Sequence, residues 1–191
     1  DLQVGDSVVI SPGISCGHCE RCLKGEDSLC REYKILGEHL WGGYAEYVKV
    51  PRQNLLLLPE MLSFEEGASI PLTFMTAWQM LVHKAHVKAG DWVLILAAGS
   101  GIGVAAIQIA KLFGATVIAA ASTQQKLKKA EELGADYLIN YQEKDFSKEV
   151  KKMTNKRGVD IVVEHTGQAT WEKSLLSAKW GGTIVTCGAT S

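Results

Sequence analysis

The stretch "WVLILAAGSGIGVAAIQIAKLFG", residues 92–114, constrains this chain more than any other. An apolar run of strand length ends in a glycine cluster, and an alanine-rich run of helix length follows at once. A strand that is apolar at every position is buried on both faces, as in parallel sheets covered by helices. The pattern then repeats. "TVIAAAS" (116–122) leads to "QQKLKKAEELG" (124–134), the short "YLIN" (137–140) to "DFSKEVKKMTN" (145–155), and "VDIVVEHT" (159–166) to "TWEKSLLSAKW" (170–180), before a last strand "GTIVTCG" (182–188). This alternation predicts an α/β fold, a doubly wound parallel sheet over residues 89–191.

Residues 1–88 read differently. Short strand-like stretches, "GDSVVI" (5–10), "GGYAEYVKVP" (42–51) and "NLLLLP" (54–59), are separated by glycine and proline. An apolar helix over 64–85 follows, interrupted at Pro71. Two domains are therefore expected, a β-rich one over 1–88 and the doubly wound one over 89–191.

The glycine turn carries the first chemical signal. Gly99, Gly101 and Gly103 let the backbone turn tightly and let a pyrophosphate approach the amides that open the next helix. The spacing is G-x-G-x-G rather than the usual G-x-G-x-x-G, but its place between a first strand and a helix favours a dinucleotide site. The end of the second strand speaks to which dinucleotide. An NAD site usually presents an acidic residue there to the ribose 2′-hydroxyl. This chain has Ala121 and Ser122, then Lys126 one helical turn on, with no carboxylate before Glu131. A hydroxyl and an ammonium suit a 2′-phosphate, so NADP is expected in preference to NAD, with NAD still open. Tyr141 is placed to close the same adenosine pocket. His165, Thr166 and Gly167 end the fourth strand at the sheet edge where such cofactors bind, and Gly188 ends the last strand on that edge.

Four of the five cysteines fall in "CGHCERCLKGEDSLC", residues 16–30, as Cys16-x2-Cys19-x2-Cys22-x7-Cys30. Disulfides fit poorly, because thiols two or three residues apart rarely meet bridge geometry and a chain of 191 residues, 47% hydrophobic, can bury its own core. An iron–sulfur cluster has the same first spacing but usually a nearer fourth cysteine. Four thiolates on one reversing loop suit tetrahedral zinc, and a site with four sulfur ligands is closed and structural. Four reduced thiols remain the plain alternative. His18, His39, His83 and His86 read as loop or helix-end histidines, and Cys187 as a small buried side chain closing an apolar strand.

Composition excludes more than it adds. The net charge is −1, with no basic footprint for nucleic acid or for a membrane surface. No apolar run is long enough to span a bilayer. Lysines and acids alternate between 124 and 157 as on solvated helix faces. A cytoplasmic location is the expectation.

Taken in order, "GDSVVISPGISCGHCERCLKGEDSLC", "GGYAEYVKVP", "PLTFMTAWQML", the glycine turn and "KLFGATVIAAAS" resemble the zinc-containing medium-chain dehydrogenase/reductase superfamily, the alcohol dehydrogenase group with leanings toward its quinone reductase branch. The resemblance implies a Rossmann domain preceded by part of a GroES-like catalytic domain, with Cys16, Cys19, Cys22 and Cys30 as its structural-zinc lobe. It adds Ser100 and Ile102 to the dinucleotide turn and makes Thr76 a nicotinamide contact. It implies an NAD(P)-dependent oxidoreductase acting on an alcohol, aldehyde or ketone, with a zinc-independent quinone or enone reductase, or a non-catalytic nucleotide-binding relative, as alternatives. A small-molecule substrate and a homo-oligomer go with it. The family's catalytic zinc takes early ligands that would lie upstream of Asp1, and a third near "IPLTF" (70–74), where no side chain ligates zinc. The resemblance also makes this chain the middle of a longer protein. Catalytic residues are not named by it.

Overall fold

The structure, a computed structural model, describes residues 2–190. The chain forms two compact units, residues 1–72 and 73–191. The sequence reading placed the change at 88; the two divisions differ by the helix that begins at Pro71, whose Ala77, Met80 and Leu81 are buried in the core of the second unit.

In the first unit, β1 (Val8–Ile10) pairs antiparallel with β4 (Leu55–Leu57), and β2 (Gly13–Ile14) with β3 (Lys34–Ile35). Between β2 and β3 lies α1 (Glu20–Leu23), a single turn inside the cysteine loop. Asn54 ties the two ribbons together, its amide donating to the carbonyls of Ser11 (2.9 Å) and Gly13 (2.6 Å). After β4 comes α2 (Phe64–Ser69), opened by a capping box in which Ser63 and Glu66 satisfy each other's backbone amides. The expected strand over 42–51 does not form. Among the described residues that segment has no ladder partner, and a strand without one leaves its amides and carbonyls unpaired.

Pro71 interrupts the 64–85 helix as the sequence required, and it opens α3 (Pro71–Trp78) at the first helical position, where its missing N–H costs nothing. A π-helical turn, Gln79–Lys84, ends it. Then the alternation begins: β5 (Trp92–Ile95), α4 (Gly101–Leu112), β6 (Thr116–Ala121), α5 (Gln124–Glu132), β7 (Tyr137–Asn140), α6 (Phe146–Met153), β8 (Val159–Glu164), α7 (Gln168–Ser177) and β9 (Ala178–Thr186). The five strands form one parallel sheet in the order β7-β6-β5-β8-β9. The chain runs outward from β5 through β6 to β7, then crosses back to β8 on the other side of β5. That reversal is a switch point, and the crevice above it is where open α/β sheets bind ligands.

Period-two side chains sort the core into two layers. Val93, Ile95, Val117, Ala119, Ile161 and Val163 face the layer that includes α3, α4 and α5, while Leu94, Ile118, Ala120, Ile139 and Val162 face the layer with α6. Ala105, Ala106 and Ala110 have no exposed surface, so α4 approaches the sheet closely. Thr123 and Asp145 cap α5 and α6. The last strand differs from expectation. It starts at Ala178 rather than 182 because Ala178 pairs with Val159, with an irregularity before Ile161 meets Thr183. It ends at Thr186, and Cys187 is exposed, not buried. Among the described residues, no helix is long and apolar enough to cross a membrane.

Asp160 fastens the sheet's lower edge. Its carboxylate accepts from the Trp92 amide at 2.8 Å on β5, from Arg157 at 2.6 Å, and from Lys179 at 2.5 Å on β9. Burial opposes ionisation, but Lys179, the Trp92 amide and Arg157 outweigh it and hold the acid at about 2. Its contribution is therefore complete above the ordinary carboxyl range and is lost as pH falls from about 4 toward 2. Asp160→Asn should cost about 2 kcal/mol, a fall in Tm of roughly 4–8 °C near neutral pH. The gap to wild type should shrink in melts at pH 2–3.

Candidate functional site

The backbone leaving β5 is held from both sides. Leu96 N donates to Val163 O of β8 at 3.2 Å, and Ala98 N to Ala120 O of β6 at 3.0 Å. Between them Ala97 takes a left-handed conformation (φ 44°), uncommon for a residue with a Cβ. Ser100 then caps α4: its Oγ accepts from Gly103 N at 3.0 Å, and its carbonyl accepts from Val104 N at 2.8 Å. The amides of Gly101 and Ile102, in the first turn of α4, have no intrahelical carbonyl to bond. They sit at the positive end of the helix, at the C-terminal edge of the sheet, beside the switch point.

Each of the three glycines is closely approached by a different neighbour. A Cβ on Gly103 would lie 2.6 Å from Ala97 O and 2.7 Å from Ala98 Cα, both backbone. One on Gly101 would meet the Thr73 methyl of α3 at 2.7 Å, and one on Gly99 the Lys126 stem at 2.7 Å. Lys126, an exposed residue of α5, thus lays its methylenes across Gly99. Ser122 follows β6 directly. Thr76 lies three residues after Thr73 on α3, hence on the same helix face. Tyr141 follows β7; its amide donates to Ala121 O at 3.2 Å, and its ring packs on the layer with α6.

Across the switch point stands the end of β8. His165, 9% exposed, brings Nε2 within 3.0 Å of Ser100 Oγ, and its Nδ1 is buried without a hydrogen-bond partner. Desolvation lowers its pKa, against the opposing charge of Glu164, so the ring is held neutral. Thr166 and Gly167 are fixed by a residue the sequence reading passed over. Glu164 has no exposed surface; its Oε1 accepts from Thr166 N (2.6 Å) and Gly167 N (3.0 Å), and its Oε2 from the hydroxyls of Thr170 (2.9 Å) and Ser174 (2.6 Å). The signal was present, an acid at the end of the apolar "IVV" in "VDIVVEHT", just before the strand ends. Gly167 (φ 103°) is the N-cap residue of α7, and Thr190 N donates to Thr166 O at 2.9 Å, which draws the segment containing Gly188 back toward this turn.

The four clustered cysteines also converge. One sulfur from each of Cys16, Cys19, Cys22 and Cys30 lies within 4.8 Å of the others. Cys16 Sγ is 3.8 Å from Cys22 Sγ, and Cys19 Sγ 3.5 Å from Cys22 Sγ. A tetrahedron of sulfurs at zinc distance has edges of about 3.8 Å, so the set fits a closed zinc site. The amides of His18 and Cys19 hold the Cys16 thiol down at about 6. The Cys22 amide favours the Cys19 thiolate too, yet hydrogen bonding to Cys22 and Cys16 sulfurs and desolvation push it up to about 11. A cation among the sulfurs would relieve that crowding of negative charge. His18 turns its Nδ1 to Cys16 O at 2.9 Å; with Cys16 and Glu32 it forms a second, more exposed donor set.

Residues 1–60 match the family described as the alcohol dehydrogenase GroES-like domain, and residues 101–191 match the zinc-binding dehydrogenase family. The chain belongs to the zinc-type medium-chain dehydrogenase/reductase superfamily. A crystal structure described as an NAD-dependent alcohol dehydrogenase is 58% identical, with a TM-score of 0.95, over 98% of this chain and 55% of its own. The alcohol dehydrogenase of Geobacillus stearothermophilus is 36% identical over 190 residues, 98% of this chain and 55% of its own. The quinone oxidoreductase of Pongo abelii is 36% identical over 148 residues, 78% of this chain and 45% of its own. The chain thus spans about half the length of the curated relatives it matches. Its α/β architecture, a GroES-like segment followed by a Rossmann-type parallel sheet, is that of the superfamily.

Gly103→Ala should be the least tolerated of the three turn substitutions, because its Cβ meets backbone that no rotamer change can move. A loss of about 2–3 kcal/mol is expected in denaturant melts. Gly99→Ala, which meets only a flexible lysine stem, should cost markedly less.

Proposed function

We propose that the protein carrying this chain is an NAD(P)(H)-dependent oxidoreductase that moves a hydride between its cofactor and a small alcohol, aldehyde or ketone. The observation that supports it best is the glycine turn at the switch point, with the first amides of α4 open beside Ser100 and Lys126 laid across Gly99. The nicotinamide ring, when bound, supplies the hydride chemistry itself. This chain's share is binding and orientation. The amides of Gly101 and Ile102 would take the pyrophosphate, Ser122 and Lys126 the phosphorylated ribose, and Thr76, His165, Thr166, Gly167 and Gly188 the nicotinamide half. The quinone oxidoreductase relative favours a second reading, reduction of a quinone or enone without a catalytic zinc.

We further infer that Cys16, Cys19, Cys22 and Cys30 hold one structural zinc. The ion would stabilise the loop between β2 and β3 and, with four sulfur ligands, leave no position open for substrate. Metal analysis should return one zinc from this set, and Cys22→Ser should release it and loosen residues 14–34 while the parallel sheet stays folded. Iron with labile sulfide, or four freely titrating thiols with no metal, would overturn the assignment.

For the dinucleotide we infer a preference for NADP(H), because no carboxylate stands at Ala121 to repel a 2′-phosphate and Lys126 lies beside it. The 58% identical structure, described as NAD-dependent, favours the opposite preference. Titration of NADPH and NADH decides between them. Lys126→Ala should weaken NADPH about tenfold, the low end for a charge-assisted bond because the lysine is exposed, and leave NADH nearly unchanged. Ala121→Asp should shift the preference to NADH. Equal losses for both cofactors in Lys126→Ala would make Lys126 a solvated helix residue.

A further inference from the structure

Besides its four sulfurs, the cysteine loop brings two other metal-binding side chains together. Cys16 and Cys30 meet at the neck of the loop, where the Cys16 amide donates to Cys30 Sγ at 3.5 Å. Two residues beyond each stands a further donor, His18 after Cys16 and Glu32 after Cys30. Tyr33 N, donating to Cys30 O at 3.1 Å, closes the turn that carries Glu32. As a result a nitrogen of His18, a carboxylate oxygen of Glu32 and Cys16 Sγ lie within 4.8 Å of one another. Both added side chains are exposed, and among the described residues the Glu32 carboxylate has no partner.

Each of the three has a lone pair to give. Nδ1 of His18 lies 2.9 Å from Cys16 O, and a carbonyl only accepts, so Nδ1 carries the proton and Nε2 is bare. An imidazole tied to a backbone carbonyl through one nitrogen and open at the other is the arrangement that metal-bound histidines adopt. Cys16 Sγ accepts from the Cys19 amide at 3.4 Å. A thiolate has three lone pairs, so one ion and one amide leave a third. Cys30, 7% exposed, has no room to offer one outward, whereas Cys16 is only partly buried. Charge points the same way, because four thiolates around one divalent ion leave an excess of negative charge and Glu32 adds to it. Tetrahedral zinc needs donor separations of about 3.5 Å, which a rotamer change in two exposed side chains supplies.

We propose that Cys16, His18 and Glu32 form a second, exchangeable metal site, with the Cys16 sulfur shared between two ions. This rests on the reading of the four cysteines as a zinc site. One sulfur, one imidazole and one carboxylate select a borderline divalent cation such as Zn2+, Co2+ or Cd2+, while Mg2+ and Ca2+ prefer oxygen alone. Three protein donors leave one position open to water. Held by two exposed side chains and a shared sulfur, this ion leaves more readily than one enclosed by four thiolates. The site therefore fills and empties with the free metal concentration while the loop stays folded.

The test uses the full-length protein, dialysed until only tightly held metal remains, with Zn2+ and Cd2+ as probes. Equilibrium dialysis against rising Zn2+ should add one ion per chain that excess Mg2+ does not displace. His18→Ala and Glu32→Gln should each weaken that ion more than about tenfold, since even an outer partner of a ligand is worth about 10–100-fold. Both variants should keep the tightly held ion. In 113Cd NMR the loaded wild type should show a four-sulfur resonance and a separate mixed-donor resonance that is missing in His18→Ala. Three results would each overturn the second site while leaving the four-cysteine reading intact: no added ion, an added ion indifferent to both substitutions, or loss of the tightly held ion in either variant. If Cys22→Ser releases no tightly held ion, the four-cysteine reading itself fails, and this one with it.

Discussion

Glu164 is buried completely at the end of β8, and four donors converge on it, two amides of the turn that follows and two hydroxyls of α7. A carboxyl group taken out of water is expensive unless every lone pair it offers is used, so the turn cannot adopt a geometry that withdraws those donors without a large penalty. The two amides fix Thr166 and Gly167, and the two hydroxyls fix the first turns of α7 over the strand. His165, the next residue along the chain, brings its Nε2 to Ser100, the cap of α4. One buried acid thereby sets the shape of the β8 side of the switch point.

The parallel sheet was legible because its strands are apolar at every position, a pattern that few other structures tolerate. Even the four residues of "YLIN" form β7, since Ile139 is buried in the layer with α6 and Tyr137 stacks on Trp92. Where the reading went astray, pairing rather than propensity decided. Residues 42–51 alternate like a strand, but a strand exists only opposite a partner, and no alternation in one segment reveals whether that partner is within reach. Residues 178–181 look like the frayed end of a helix, yet Ala178 finds Val159 opposite it and the chain extends there. Cys187 is exposed because β9 ends at Thr186, just before it.

The site was legible in its glycines and cysteines, because those residue types act through spacing along the chain. It was less legible where contacts join distant segments. Nothing local says that the Lys126 stem covers Gly99, that the Thr73 methyl covers Gly101, or that His165 reaches Ser100 from sixty-five residues away. Glu164 was hidden by its company, for an acid in an apolar strand reads as an outlier until its four donors are seen around it.

The turn between β5 and α4 is tied to β8 through Leu96, to β6 through Ala98, to its own helix through Ser100, and is covered by α3 and α5 at Gly101 and Gly99. Its conformational entropy is therefore surrendered during folding rather than at the moment a ligand arrives. An anion meeting these amides finds them already aimed, so little of its binding energy goes into ordering the loop. Encounter with such a surface is limited by diffusion and orientation, not by a wait for the backbone to assemble, and selectivity rests on the few side chains that rim it.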